Sequence, residues 1–382
     1  MASAAQMNFS GFIIDNLYLL NSGSNLMNKL MNANNLLIVI EVIFLFMLLL
    51  IILIYTFLAN KKKKHFQLIS IQRNLDPLIT QIIIDESGAT DEQLIELKKL
   101  LNTPLARRYM MEELIKSKQN HSGFVSEKIV EIYLGLGLKK YSLEKIRPNK
   151  NWYVKSRGIQ ELYMMDQKKC YSEIYDYTNA SNEYVRNEAQ IGMIRLIGFK
   201  GLHFLEAVTQ PIKDWQQLKL LEQLKQSPEK TNISEDIPGW LSSTNYTVVI
   251  FALRLCYEYQ YFQLSRDIED CLKHESQAVR SKAVEVLIRL ENNRTPKLLL
   301  QYFNTASRKD QLMILEAMSQ LATEAESEKL IHLLDNPNNS IKLKAAVALV
   351  NCLSNGLQII EEKARLTPEP YQRIYQHILT AS

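Results

Sequence analysis

The pattern of apolar positions changes character twice along the chain. From Leu36 to Leu58 it is nearly unbroken, LLIVIEVIFLFMLLLIILIYTFL, twenty-three residues with a single charge at Glu41. As a helix this run spans about 34 Å, enough to cross a hydrocarbon core of about 30 Å. A helix satisfies its own backbone polar groups, as the bilayer interior demands. The run therefore predicts a transmembrane helix over 36–58, preceded by a tail over 1–35. Within that tail Phe9–Leu20 is too short for a second span and is expected to rest on the outer leaflet. Glu41 lies about 7–8 Å below the outer edge. At that depth its side chain either snorkels to the headgroups or meets a partner's membrane helix.

Beyond Lys61–Lys64 the pattern becomes amphipathic. Residues 59–89 are expected to form a basic juxtamembrane linker, broken at Asp76-Pro77 and at Ser87-Gly88. Thr90, with Gln93 three residues on, has the pattern of a capping box. Leu94, Leu97, Leu100 and Leu101 then recur at helical spacing. Thr103-Pro104 restarts a helix, with Thr as N-cap and Pro at the first helical position. Residues 90–150 are expected to form an N-terminal helical capping region. The nearest approach to a strand, Thr247–Leu255, predicts a buried helix in its context.

Over 151–382 the pattern repeats. An apolar–basic–x–x–small–x–x–x–apolar signature occurs at Val154-Lys155, Val185-Arg186, Val279-Arg280 and Ile341-Lys342. The basic positions stand 31, 94 and 62 residues apart, close to multiples of 31. Gln217, Val249 and Gln311 fill the gaps, each within an apolar helical pattern. Shorter amphipathic stretches lie between them: Thr295–Phe303, Ser327–Asp335 and Leu357–Arg365. Each repeat therefore reads as a helix hairpin, which buries both its apolar faces only by stacking on neighbours.

This pattern resembles the short, roughly 30-residue class of HEAT-like repeats, the type also found in phycobilisome lyases. Val185-Arg186…Ala189 and Val279-Arg280…Ala283 carry the resemblance best. It implies an all-α fold, a right-handed α-solenoid of HEAT-like helix hairpins behind one N-terminal transmembrane helix. It also implies an extended surface that docks another protein. Similar bacterial membrane proteins with HEAT-like repeats suggest an accessory subunit of a membrane glycosyltransferase or signalling system.

Charge sets the orientation. Lysine and arginine mark the cytoplasmic side of a spanning helix, and the tail before the anchor carries only Asp15 and Lys29. Residues 1–35 are thus expected outside an inner membrane and the repeat array in the cytoplasm. Residues 61–169 hold 21 Lys+Arg against 13 Asp+Glu, and residues 170–382 hold 23 against 26. The basic excess lies next to the membrane, so Lys61, Lys62, Lys63 and Lys64 are expected to contact anionic inner-leaflet lipid. Nucleic acid is not the expected partner.

Motifs for catalysis are sparse. Gly135–Gly137 lacks the third glycine, preceding strand and downstream acid of a dinucleotide loop, and reads as a helix end. The four cysteines, Cys170, Cys256, Cys271 and Cys352, are far apart in sequence, and the six histidines are isolated. Neither set has metal-ligand spacing. Trp152, Trp215 and Trp240 fall at different repeat offsets and are read as gap-fillers, and His332 as a residue at the edge of the core. No catalytic residue, metal or cofactor is expected.

The expected function is a membrane-anchored cytoplasmic scaffold that recruits a protein partner, itself membrane-associated. The alternative is a solenoid enzyme or binder acting on nucleic acid or a small ligand in the groove. For the docking surface, the position three residues after the signature's first apolar residue lies about 100° from the core-facing position. It is expected at the groove edge, at Arg157, Glu188, Lys219, Phe251, Lys282, Met313 and Lys344. The competing reading turns Phe251 and Met313 inward and leaves the lysines as ordinary solvated surface.

Overall fold

The structure, a computed structural model, describes residues 33–84, 89–227 and 232–381. The expectations for residues 1–32 and for a break at Ser87-Gly88 lie outside the described residues. Those residues form nineteen α-helices joined by turns and short 3-10 segments, with no strand among them. The chain divides into two units, Met1–Glu113 and Leu114–Ser382.

The N-terminal unit is built on α1 (Ala33–Ile84), one helix of 52 residues, about 78 Å long. Its large apolar side chains from Leu37 to Leu58 are exposed, and by length and composition it is able to cross a membrane. The break expected at Asp76-Pro77 does not occur, and the helix runs through Pro77 to Ile84. A proline there removes one backbone donor and crowds the carbonyl four residues back. Burial of Leu75, Ile79 and Ile82 offsets that cost, and the Tyr109 hydroxyl donates to Asp76 Oδ1 at 2.6 Å.

The next two helices start where the sequence indicates. Helix α2 (Asp91–Leu100) opens on a capping box, with the Thr90 N–H donating to Gln93 Oε1 at 2.9 Å and the Gln93 N–H to Thr90 Oγ1 at 3.3 Å. Helix α3 (Pro104–Asn120) opens at Thr103, whose hydroxyl accepts the Ala106 N–H at 3.1 Å.

In the C-terminal unit, α4 (Phe124–Gly135) and α5 (Leu138–Lys145) meet at Gly137. Its φ of +70° is left-handed, a conformation glycine adopts at little cost. Helices α6 (Trp152–Met164), α7 (Tyr171–Tyr175), α8 (Glu183–Ile197), α9 (Asp214–Lys225), α10 (Ile237–Leu241) and α11 (Tyr246–Tyr259) follow. Then come α12 (Ser265–Asp270), α13 (Gln277–Leu290), α14 (Thr295–Tyr302), α15 (Arg308–Leu321) and α16 (Ser327–Leu334). Helices α17 (Asn339–Cys352), α18 (Gly356–Leu366) and α19 (Pro368–Ala381) end the array.

Seven of these, α6, α8, α9, α11, α13, α15 and α17, carry the signature register. Each is the second helix of a hairpin. Val279, Ala283 and Leu287 are buried, as helical spacing requires of offsets 0, +4 and +8. Neighbouring second helices pack side by side, with α6 on α8, α8 on α9, α13 on α15 and α15 on α17. The α9–α11 pair is tied by Asp214–Arg254 and Lys225–Glu258 bridges, each 2.7 Å. Between α8 and α9 the first-helix position is a 3-10 stretch, Gly198–Glu206. It lies so close to α8 that a Cβ on Gly201 would sit 2.5 Å from the Met193 carbonyl oxygen. One hydrophobic core runs from Ile146 to Ile378. Trp240 is inside it, filling a gap as expected, whereas Trp152 and Trp215 are exposed. His332 is also exposed rather than at the core edge.

Candidate partner-binding surface

The signature's second position is structural. Arg186 donates through one guanidinium nitrogen to the carbonyls of Ala180 and Ser181, six and five residues back, at 2.5 and 3.2 Å. Arg280 does the same to His274 and Glu275, both at 2.7 Å. Arg107, at the start of α3, repeats the device on Leu101 and Asn102 at 2.9 and 3.4 Å. Where the arginine is replaced, the amide takes over: Gln217 donates to Ile212 O at 3.0 Å and Gln311 to Phe303 O at 3.0 Å. These side chains hold the turns that lead into α3, α8, α9, α13 and α15.

Of the seven positions expected at the groove edge, three reach sideways to the preceding second helix: Glu188, Lys282 and Lys344. Glu188 accepts the Tyr163 hydroxyl of the preceding repeat at 2.7 Å. Lys282 lies 5.2 Å from the Tyr257 ring centroid of the preceding repeat and bridges Glu285 at 2.8 Å. Lys344 reaches back to Glu316 at 3.0 Å. Arg157 bonds Glu161 at 3.2 Å within its own helix. Lys219 is exposed. Met313 is half-buried against the core, and Phe251 is 0% exposed. Phe251 is therefore a core residue and not part of a docking surface. The physical reason is that helices in a row are covered on both flanks, so a side chain about 100° from the core meets its neighbour.

The first repeats also hold a buried charge network. Glu161 is 0% exposed and accepts from Lys145 Nζ at 2.5 and 2.7 Å, from Ser142 Oγ at 2.9 Å and from Arg157 Nε at 3.2 Å. Nearby, Tyr163, Arg195, Lys118, Asp166, Gln223 and Gln226 line a cleft of about 350 Å³ at the C-terminal ends of α6, α8 and α9. Arg195 sits over the Tyr163 ring at 5.8 Å. Burial pushes the Tyr163 phenol above its ordinary value, and Glu188 adds to the shift.

The cysteines are free, and three of them are buried. Burial pushes Cys256 up to about 12 and Cys271 up to about 11, which keeps both as thiols at neutral pH. Among the described residues no group of three or more His, Cys, Asp or Glu converges. Just past the apolar run, Lys61–Lys64 are exposed on α1, and Lys62 lies 5.8 Å from the Phe66 ring.

One set of exposed residues escaped the sequence reading. Tyr153, Tyr184, Trp215 and Tyr246 stand 31 residues apart at the first or second position of α6, α8, α9 and α11. With Trp152 they are between 47 and 63% exposed. Trp152 stacks on Tyr184 across the repeat boundary, with centroids 4.9 Å apart and planes at 26°. The helix starts are held in line by Glu183–Lys213 at 2.7 Å and by the Thr247 hydroxyl, which accepts the Ile212 N–H at 3.0 Å. The result is an aromatic edge across four consecutive repeats. Counting tyrosines together with tryptophans at the repeat period would have found it.

Among the described residues the chain is thus an all-α solenoid of HEAT-like helix hairpins preceded in sequence by one long apolar helix. No family model matches it, and no curated protein matches it. Among solved structures it is similar to an engineered protein, at 12% identity and a TM-score of 0.37 over 82% of this chain and 97% of that one. It is also similar to human deoxyhypusine hydroxylase in complex with glycerol, at 13% identity and a TM-score of 0.28 over 74% and 97% of the two chains. The complex of CpcE and CpcF of phycocyanin lyase from Nostoc sp. PCC7120 gives 12%, 0.24, 77% and 95% in the same order. At these scores the likenesses carry no function, and the fold class rests on the helix pairing of the chain itself.

Proposed function

We propose that the chain is a membrane-anchored scaffold whose helical array recruits a protein partner. In this reading Leu36–Leu58 crosses the inner membrane, residues 1–35 lie outside and the array works in the cytoplasm. Lys61–Lys64 meet anionic lipid at the inner leaflet, where each cation contributes about 1 kcal/mol. The array carries out no reaction of its own. It serves a membrane-associated partner, such as a glycosyltransferase or signalling complex, by raising that partner's effective concentration at the membrane.

The observation that carries the proposal is the aromatic edge in the same chain as an exposed apolar helix. Exposed rings at one register of consecutive repeats are the kind of surface that docks another chain. The test is affinity capture of the full chain from detergent extract, followed by mass spectrometry. The expected result is one dominant protein, lost when Tyr184 and Trp215 are both changed to Ala. Recovery of nucleic acid or a small ligand with no protein would overturn the proposal in favour of a groove enzyme or binder.

A further inference from the structure

The aromatic edge has a spacing, a polarity and a charged end, and together they specify an occupant. Neighbouring helices in a packed row lie about 8–10 Å apart. A polyproline II helix repeats its face every three residues at 3.1 Å each, about 9 Å per turn. At that general spacing one face of such a helix would meet one aromatic residue per repeat from Tyr153 to Tyr246. The four-ring run of about 24–30 Å takes about ten residues.

The chemistry also fits. Polyproline II makes no internal hydrogen bonds and leaves its carbonyls free. Three tyrosine hydroxyls and the Trp215 indole N–H are donors for them, while the rings cover the pyrrolidines. Such aromatic-lined recognition of extended proline segments is a general mode.

Beyond Tyr246 the register continues but its chemistry changes. Helix α13 starts with Gln277 and Ala278, and α15 with Arg308 and Lys309, in the first two helical positions. Both cations are exposed and make no ion pair with a described residue. Acidic side chains of an occupant would meet them. A long polyanion is the poorer match, because residues 170–382 hold 23 Lys+Arg against 26 Asp+Glu and single-strand binding relies on a basic groove.

We infer that this edge docks a proline-rich segment of the partner protein, its prolines on Tyr153, Tyr184, Trp215 and Tyr246 and its flanking acidic residues on Arg308 and Lys309. The inference rests on the scaffold reading, and names the partner's chemistry.

The test uses the purified full chain in detergent micelles and fluorescence anisotropy of labelled probes. The probes are a peptide of ten prolines and five glutamates, in either block order, a glycine–serine peptide carrying the same glutamates, and a fifteen-residue oligothymidylate. The proline peptide should bind at least about tenfold more tightly than the other two. Tyr184→Ala with Trp215→Ala should weaken it about tenfold, with the thermal transition unchanged because both side chains are exposed. Arg308→Glu with Lys309→Glu should weaken it as well and remove its salt dependence. Equal binding of the glycine–serine peptide, tighter binding of the oligonucleotide, no binding at all, or indifference to both double variants would overturn the inference. If the proline peptide fails while the full chain still captures one protein from extract, the docking inference falls and the scaffold stands. If neither occurs, both fall.

Discussion

Glu161→Gln is the sharpest perturbation of the array's interior. The change is nearly isosteric and removes one buried negative charge that three side chains approach within 3.2 Å. Breaking one partner of a buried ion pair costs about 3–5 kcal/mol, because the remaining charge stays behind uncompensated. Here Lys145 and Arg157 keep side-chain exposures of 27% and 29%. Water therefore recovers part of the loss, and about 2–3 kcal/mol is the expected cost. In a repeat array each unit contacts only its neighbours, so the damage should be local. Hydrogen exchange followed by mass spectrometry reads this directly. Peptides from α5 and α6 should exchange about 30- to 150-fold faster, and peptides from α16 and α17 should not change. Equal acceleration along the whole unit, or none in α5 and α6, would refute the local ion network as the source of stability there.

Three further outcomes concern the thiols, a turn and a close helix contact. Cys256 and Cys271 lie at about 12 and about 11 in the folded chain, against an ordinary 9.0. Above pH 9 the unfolded state then binds fewer protons, so stability is full below that pH and falls as pH rises toward 11–12, by about 1.4 kcal/mol per pH unit per thiol. Urea midpoints should drop between pH 8.5 and 10.5, less steeply in a Cys256→Ala, Cys271→Ala variant, and a flat profile would contradict the burial argument. Arg280→Ala should cost about 1.5–3 kcal/mol by freeing two turn carbonyls, seen as a lower thermal midpoint. Arg308→Ala should stay within about 0.5 kcal/mol of the parent, and equal losses from the two would be contrary evidence. Gly201→Ala should destabilise by about 1–3 kcal/mol, since the new Cβ meets backbone and not a flexible side chain. Unchanged denaturation would show that the 198–206 stretch yields freely.

The architecture was legible because its signals are local and periodic. The 31-residue register, the Thr90 box and the Thr103-Pro104 start each use short-range chemistry, and each appears where the sequence placed it. Pro77 was misjudged for the converse reason. An Asp-Pro step is biased away from helix, but burial of Leu75, Ile79 and Ile82 outweighs that local preference. Phe251 follows the competing, inward reading: it is 0% exposed, and how far a side chain about 100° from the core position is covered depends on the stack and not on one repeat. The aromatic edge was readable in principle from Tyr153, Tyr184, Trp215 and Tyr246. Which side of a helix row faces solvent is a property of the stack, so their exposure emerged only with the fold.

The scaffold proposal depends on the apolar helix tethering the array to the cytoplasmic face of a membrane. Protease protection in sealed vesicles of both orientations, after an alkaline carbonate wash, tests it most directly. The full chain should stay with the washed membranes, and residues 60–382 should be digested only where the cytoplasmic face is outward. Release of the chain by carbonate, or digestion of the array only from the opposite face, would contradict it.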